Sequence, residues 1–123
     1  MSNVESSLKE AAAIDGAVAV ALVDYTSGMS LGVAGDTHSL NLDVAAAGNT
    51  DVVRAKLRTM EALGLKESIE DILITLGSQY HLIRLLRGSA GEGLFLYLVL
   101  DKSRANLAMA RHKLSVVERN IQV

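Results

Sequence analysis

Two kinds of apolar pattern alternate along this chain. Ala17 to Asp24 is an unbroken apolar run, AVAVALV, closed by an aspartate. It is too short for a typical helix and rich in valine, which predicts a strand covered on both faces. Tyr25-Thr26-Ser27-Gly28 has the chemistry of a turn, with Gly28 able to take a positive φ. Met29 to Val33 then reads as the return strand of a hairpin, ended by Gly35-Asp36. Before this hairpin, Val4, Leu8, Ala11 and Ala12 recur at helical spacing, which predicts a short helix over Val4 to Ile14. Ser2 or Asn3 is its expected cap, and Asp15-Gly16 breaks it.

The longest helix is predicted from Ser39 or Asn41 to about Leu63, stopped by Gly64. At ~100° per residue, Asp43, Thr50, Asp51, Arg54, Arg58 and Glu61 fall on one polar stripe. Val53, Leu57 and Met60 make a bulky apolar arc. Val44, Gly48, Val52, Ala55, Thr59 and Ala62 make a second arc of smaller residues. A helix on a sheet needs one apolar stripe, so the second arc asks for another cover. That cover is either a second copy of the chain or a neighbouring helix of the same chain. Small residues at these positions let a second helix approach closely.

Ile69 to Leu76 is a β-branched run with Glu70 and Asp71 near its start. Gly77-Ser78 is a turn, Gln79 to Leu86 a further strand, and Gly88 to Gly93 a glycine-rich hairpin loop. Leu94 to Leu100 is apolar at every position except the Tyr97 hydroxyl. These three strands predict an antiparallel meander. Asp101 or Ser103 is the expected cap of a final helix. On it Leu107, Ala110, Leu114, Val117 and Ile121 form an apolar stripe, with Arg104, Arg111, Ser115, Glu118 and Gln122 on the wet side.

The order is therefore α-β-β-α-β-β-β-α. The first and fifth strands are the most apolar, which makes both central and places them side by side. The expected fold is α+β: a five-stranded antiparallel sheet, order 2-1-5-4-3, sandwiched by three helices in one domain over residues 1–123. The third strand is then an edge. Its acidic pair reads as edge protection, while Ile72 to Leu76 is open to pairing with another copy.

Composition narrows the function. The 123 residues suit one domain, and half of them are hydrophobic. The absence of cysteine excludes disulfides and thiolate metal sites. A net charge of −2 with both signs mixed argues against a nucleic-acid partner. The apolar runs are far shorter than the ~20 residues of a membrane span, and the start lacks the features of a signal peptide. The expectation is a cytoplasmic protein with no membrane insertion.

Candidate chemistry is sparse. His38, His81 and His112 do not stand at metal spacing from another ligand on one element. His81, in a strand between Tyr80 and Leu82, reads as a hydrogen-bonded structural histidine. The Gly88–Gly93 loop lies between strands and opens no helix, unlike a phosphate cradle. Asp24 and Asp101 end the two central strands; turn or cap roles explain them better than acid–base work. No nucleophile, base or metal set converges, so no enzyme, no cofactor and no metal is expected. On the long helix, Asp51 with Arg54 and Arg58 with Glu61 are spaced for weak pairing. The same stripe suits a docking surface, with arginine as its best anchor.

The element order resembles that of the roadblock (dynein light-chain) family. The residues that carry the likeness are IDGAVAVALVDYTSGMSLG, LDVAAAGNTDVVRAKLRTMEALGL, DILITLGSQYHLIRLL and GLFLYLVLDKSRANLAMARHKL. It is most similar to short bacterial members that regulate Ras-like GTPases, over about Leu8 to Ile121. Asp15-Gly16-Ala17 departs from the Pro-Gly-Val often found before the first strand. The resemblance implies a roadblock/profilin-like fold with one helix on one face of the sheet and two on the other. It also implies a homodimer, or a heterodimer with a paralogue, that packs the long helices together and joins the third strands. Gly48, Val52, Ala55, Thr59, Ile72 and Ile74 are the interface residues on that basis. The implied function is an adaptor that binds and modulates a small Ras-like GTPase, with Arg54, Arg58 and Glu61 as candidate contacts by their exposure. The competing expectation is a small-molecule sensor of the profilin or PAS kind, which needs polar groups in an apolar pocket; Tyr97 and His81 are the candidates.

Overall fold

The computed structural model describes residues 3–87 and 91–122. Its elements are α1 (Val4–Ala12), β1 (Ala17–Asp24), β2 (Met29–Gly35), α2 (Leu42–Ala62), β3 (Asp71–Thr75), β4 (Gln79–Leu85), β5 (Leu94–Asp101) and α3 (Leu107–Asn120). The strands form one sheet in the order β2-β1-β5-β4-β3, antiparallel at every step. This is the expected topology.

The sheet has a core on each face. Val20 and Leu22 of β1, Leu82 of β4, and Leu94, Leu96, Leu98 and Leu100 of β5 turn toward α1 and α3. Ala19, Ala21 and Val23, Ile83 and Leu85, and Phe95, Tyr97 and Val99 turn toward α2. The two unbroken apolar runs are thus strands with no wet face, and Val20, Leu22, Leu98 and Leu100 are fully buried. α1 and α3 close one face together: the α3 stripe Ala110, Leu114, Val117 and Ile121 meets Leu8, Ala11 and Ile14.

Local chemistry sets the ends of the elements. The β1–β2 turn follows its prediction: Asp24 accepts from the Thr26 N–H and hydroxyl, and Gly28 sits at φ +81°. α2 begins at Asn41, whose side chain accepts from the N–H groups of Asp43 and Val44.

Other expectations are corrected. Ser2 and Gly88 to Ala90 lie outside the described residues. Asn3 occupies the cap position of α1 without capping it; its amide ties the start of the chain to Asn120 and Gln122 at the end of α3. α1 stops at Ala12. β2 runs two residues beyond Val33, and β4 ends at Leu85. β3 begins only at Asp71, with Ile69 packed beneath α2 instead. Neither Asp101 nor Ser103 caps the last helix. Asp101 closes a turn onto Ser103, and Asn106 is the cap, accepting from Met109 N–H. Arg104 therefore precedes α3. Glu118, expected in water, is buried and paired with Arg84 at 3.1 Å. Glu70 and Asp71 do more than guard an edge: Glu70 pairs with Arg87, and Asp71 takes a two-pronged contact from Arg111.

Candidate interaction surface

α2 lies on its sheet face by a narrow stripe. Leu42, Ala46, Thr50 and Val53 are buried, with Leu57 and Met60 half-buried. Thr50 was expected on the polar stripe, yet it is 2% exposed. Its hydroxyl donates to Ala46 C=O one turn back, so it enters the core with no unsatisfied group. The second arc stays outside. Val44, Gly48, Val52, Ala55, Thr59 and Ala62 are all exposed, Val44 by 67%. α1 and α3 both pack on the opposite face of the sheet. Among the described residues, then, no helix of the same chain supplies the missing cover.

The uncovered arc runs into an open groove of about 810 Å³ between α2 and the segment entering β3. Val52, Ala55, Lys56 and Thr59 line it from α2, and Ile69, Glu70 and Ile72 from the other side. β3 forms the outer edge of the sheet on this side. Its register sets Ile72 opposite Ile83 and Ile74 opposite His81, so both isoleucines share the α2 face and are half-buried. Leu73 and Leu76 are exposed. Helix arc, groove and strand edge thus make one continuous apolar surface bounded by charge.

The candidate contact residues divide. Arg54 is directed inward: its Nε donates to Tyr25 C=O at 2.8 Å and its Nη2 to Thr26 C=O at 2.6 Å. It clamps the β1–β2 turn to α2 rather than pairing with Asp51. Arg58 and Glu61 are exposed, and no ion pair joins them among the described residues. Sequence reasoning missed the ionic network on the other face, where Arg84 bridges Glu118 and Asp71, and Arg111 reaches Asp71. Its one sequence signal is Glu118 beside Val117 on the apolar stripe.

The groups tested for chemistry are held by local bonds. Asp24 and Asp101 lie at opposite ends of the sheet, because β1 and β5 run antiparallel and pair Asp24 with Leu94. The Thr26 hydroxyl and N–H hold the Asp24 carboxyl below its ordinary range. Ser103 and Arg104 do the same for Asp101, and the N–H groups of His38 and Ser39 for Asp36. His81 and Tyr97 meet edge to face beneath α2, with Nδ1 2.9 Å from the hydroxyl. Burial pushes the tyrosine up and the histidine down. The two groups considered for ligand binding therefore bond each other. No three metal-ligating side chains cluster among the described residues, and no described helix is long and apolar enough to cross a membrane.

No protein-family profile matches the chain, and no curated protein matches it. Solved structures do. MglB of Myxococcus xanthus is 18% identical and covers 93% of this chain and 84% of its own, with a TM-score of 0.76. An MglB with tetrameric arrangement is 20% identical over 93% of this chain and 81% of its own, at 0.77. A Roadblock/LC7 domain from Streptomyces avermitilis is 13% identical over 94% and 88%, at 0.74. With the same order of elements, the same sheet and nearly the whole chain superposed, this protein has the roadblock fold.

Proposed function

We propose that the chain, as one domain over residues 1–123, is a non-enzymatic cytoplasmic adaptor. It dimerises through α2 and β3 and binds a small Ras-like GTPase, modulating its nucleotide cycle or location. One observation carries this reading: the apolar arc of α2 is uncovered and continuous with the open edge of β3. A surface of this kind matches what a second copy offers, since the same helix and the same strand meet themselves across a twofold axis. Gly48, Val52, Ala55 and Thr59 then form the helix contact, and Ile72 and Ile74 flank a sheet continued across two β3 edges. A paralogue of the same fold can replace the second copy. The fold shared with MglB and the Roadblock/LC7 domain supports the reading, as does the sequence resemblance to regulators of Ras-like GTPases. Arg58 and Glu61 remain exposed on α2 as partner contacts, and Arg54 holds the turn beside them.

Sedimentation equilibrium tests the dimer. Gly48→Glu or Ala55→Arg should yield monomers, and a variant that stays dimeric rules this interface out. The tagged chain, incubated in lysate of its source with GDP or a non-hydrolysable GTP analogue, should retain a small GTPase in one nucleotide state only. Recovery of the chain alone or with a paralogue removes the GTPase claim and favours the sensor alternative.

A further inference from the structure

The edge of the sheet opposite β3 is β2, and the proposed dimer leaves it unused. Its sequence, MSLGVAG, holds no charged residue and no proline, the residues that commonly keep an edge from pairing. Leu31 forms a bulge, and from Gly32 to Gly35 the ladder with β1 is regular again. Asp36 N–H bonds back to Val18 C=O at 2.8 Å, so alternation along the ladder turns the N–H and C=O of Val33 to the open side. Leu31 and Val33 are exposed by 49% and 44%.

Two hollows flank this edge, one on each face of the sheet. α1 packs directly over β2: a Cβ at Gly32 would stand 2.8 Å from Leu8 Cδ1. There Val4, Leu8, Leu31 and Val33, with Glu5, line a hollow of about 360 Å³. On the α2 face a second, of about 390 Å³, is lined by Val33, His38, Asn41 and Asp43. Val33 borders both. An open edge with a hollow on either face fits an extended segment, whose successive side chains point to opposite faces.

Charge selects the occupant. Glu10, Asp15, Asp24, Asp36, Asp43 and Asp51 are the charges from residue 10 to 53, with no Lys or Arg among them. Asp24, opposite Met29, and Asp36, after Gly35, bracket β2. Lys9, the nearest preceding cation in sequence, pairs with Glu5 at 3.5 Å. A second copy brings the same acid to the same edge, which opposes pairing of β2 with itself. We propose that β2 is a docking edge for an extended basic segment of another protein. The segment adds one more strand to the sheet, with apolar side chains toward α1 and Lys or Arg toward Asp43. This role goes beyond the adaptor reading and stands without it. In the proposed dimer the two β2 edges are the outer ends of the joined sheet.

The test titrates the full chain with a short blocked peptide that alternates lysine and valine, and follows backbone amide shifts by NMR. Saturable shifts centred on Val33 and its neighbours in β2 are expected, with a dissociation constant below about 1 mM. Glutamate in place of the lysines, or full N-methylation of the peptide, should weaken binding at least about tenfold. Val33→Lys, at an exposed position, should abolish binding with the fold intact, and Asp43→Asn should weaken it by up to about fivefold. No saturation by about 1 mM overturns the proposal, as do shifts centred on β3 or equal binding of the N-methylated peptide. Equal binding of the glutamate peptide overturns the basic occupant. A Val33→Lys chain that no longer dimerises assigns the edge to a second copy and refutes the proposal. A native chain that never dimerises yet binds the lysine peptide at β2 supports the docking edge and refutes the proposed dimer.

Discussion

Gly48 is the position where two energies of opposite sign act on one atom. Glycine inside a helix costs about 0.5–1 kcal/mol relative to alanine. A Cβ added at Gly48 meets nothing within 4 Å, so Gly48→Ala should stabilise the isolated fold by about that amount. For a chain of this length the gain raises the melting midpoint by about 2–5 °C. In the proposed dimer the same methyl points at a second α2. An extra methyl in a close contact costs about 1–3 kcal/mol, and the twofold axis introduces it twice. At two such contacts per dimer the dissociation constant should therefore rise at least about thirtyfold. Melts over a range of protein concentrations separate the two effects. Well below the dissociation constant the variant should melt above the native chain. Well above it the advantage should vanish or invert, because dimerisation stabilises the native fold by mass action. Sedimentation equilibrium gives the constant directly. A variant more stable at every concentration that dimerises as tightly as the native chain would falsify the placement of Gly48 at the helix contact.

Four further predictions concern the frame of this surface. Glu118→Leu leaves Arg84 with only its 3.9 Å contact to Asp71; urea unfolding should show a loss of about 3 kcal/mol, largely recovered in Arg84→Met/Glu118→Leu, and a single variant within about 0.5 kcal/mol of native would refute a stabilising role for the buried pair. The folded His81 pKa lies below the unfolded 6.5, so its contribution is complete above that pH and is lost as pH falls from 6.5 toward the folded midpoint; urea midpoints of the native chain should decline there and those of His81→Asn should not. The lowered carboxyls of Asp24, Asp36 and Asp101 act in a separate window: their stabilisation is present above 3.8 and disappears as pH drops through their folded values, which acid titration of the triple asparagine variant should flatten. Arg54→Met removes both bonds to the β1–β2 turn and should cost about 1 kcal/mol with faster exchange in that turn, whereas Arg58→Ala should alter stability by no more than about 0.5 kcal/mol.

Sheet order is legible in the sequence because burial on both faces demands an apolar residue at every position, and only β1 and β5 meet that demand. Their adjacency then fixes the rest of the sheet. The details that escape sequence reasoning depend on which bond a side chain makes, within its own helix or with a partner far along the chain. A helical wheel places Thr50 with the polar residues, since nothing local reveals that its hydroxyl closes on Ala46 and leaves a methyl for the core. Arg54 reads as a free cation, and it becomes a clamp only once the fold brings the carbonyls of Tyr25 and Thr26 to it. Glu118 and Arg84 meet only after α3 folds back over β4. These cases point one way: features that look functional in sequence acquire a structural reason within the chain.

The second arc of α2 does the reverse. A glycine in mid-helix and exposed valines at positions 44 and 52 break the local rules for a helix facing water, and the described structure supplies no compensation inside the chain. That contrast separates the residues of α2. Arg54 and Thr50 are explained by what they bond in the same molecule, whereas Gly48, Val52 and Ala55 stay exposed in it, as the proposed dimer requires. Loss of helix propensity at Gly48 is tolerable if close approach of a second helix returns more than it costs, and the concentration-dependent melts of Gly48→Ala measure that balance for the proposed dimer.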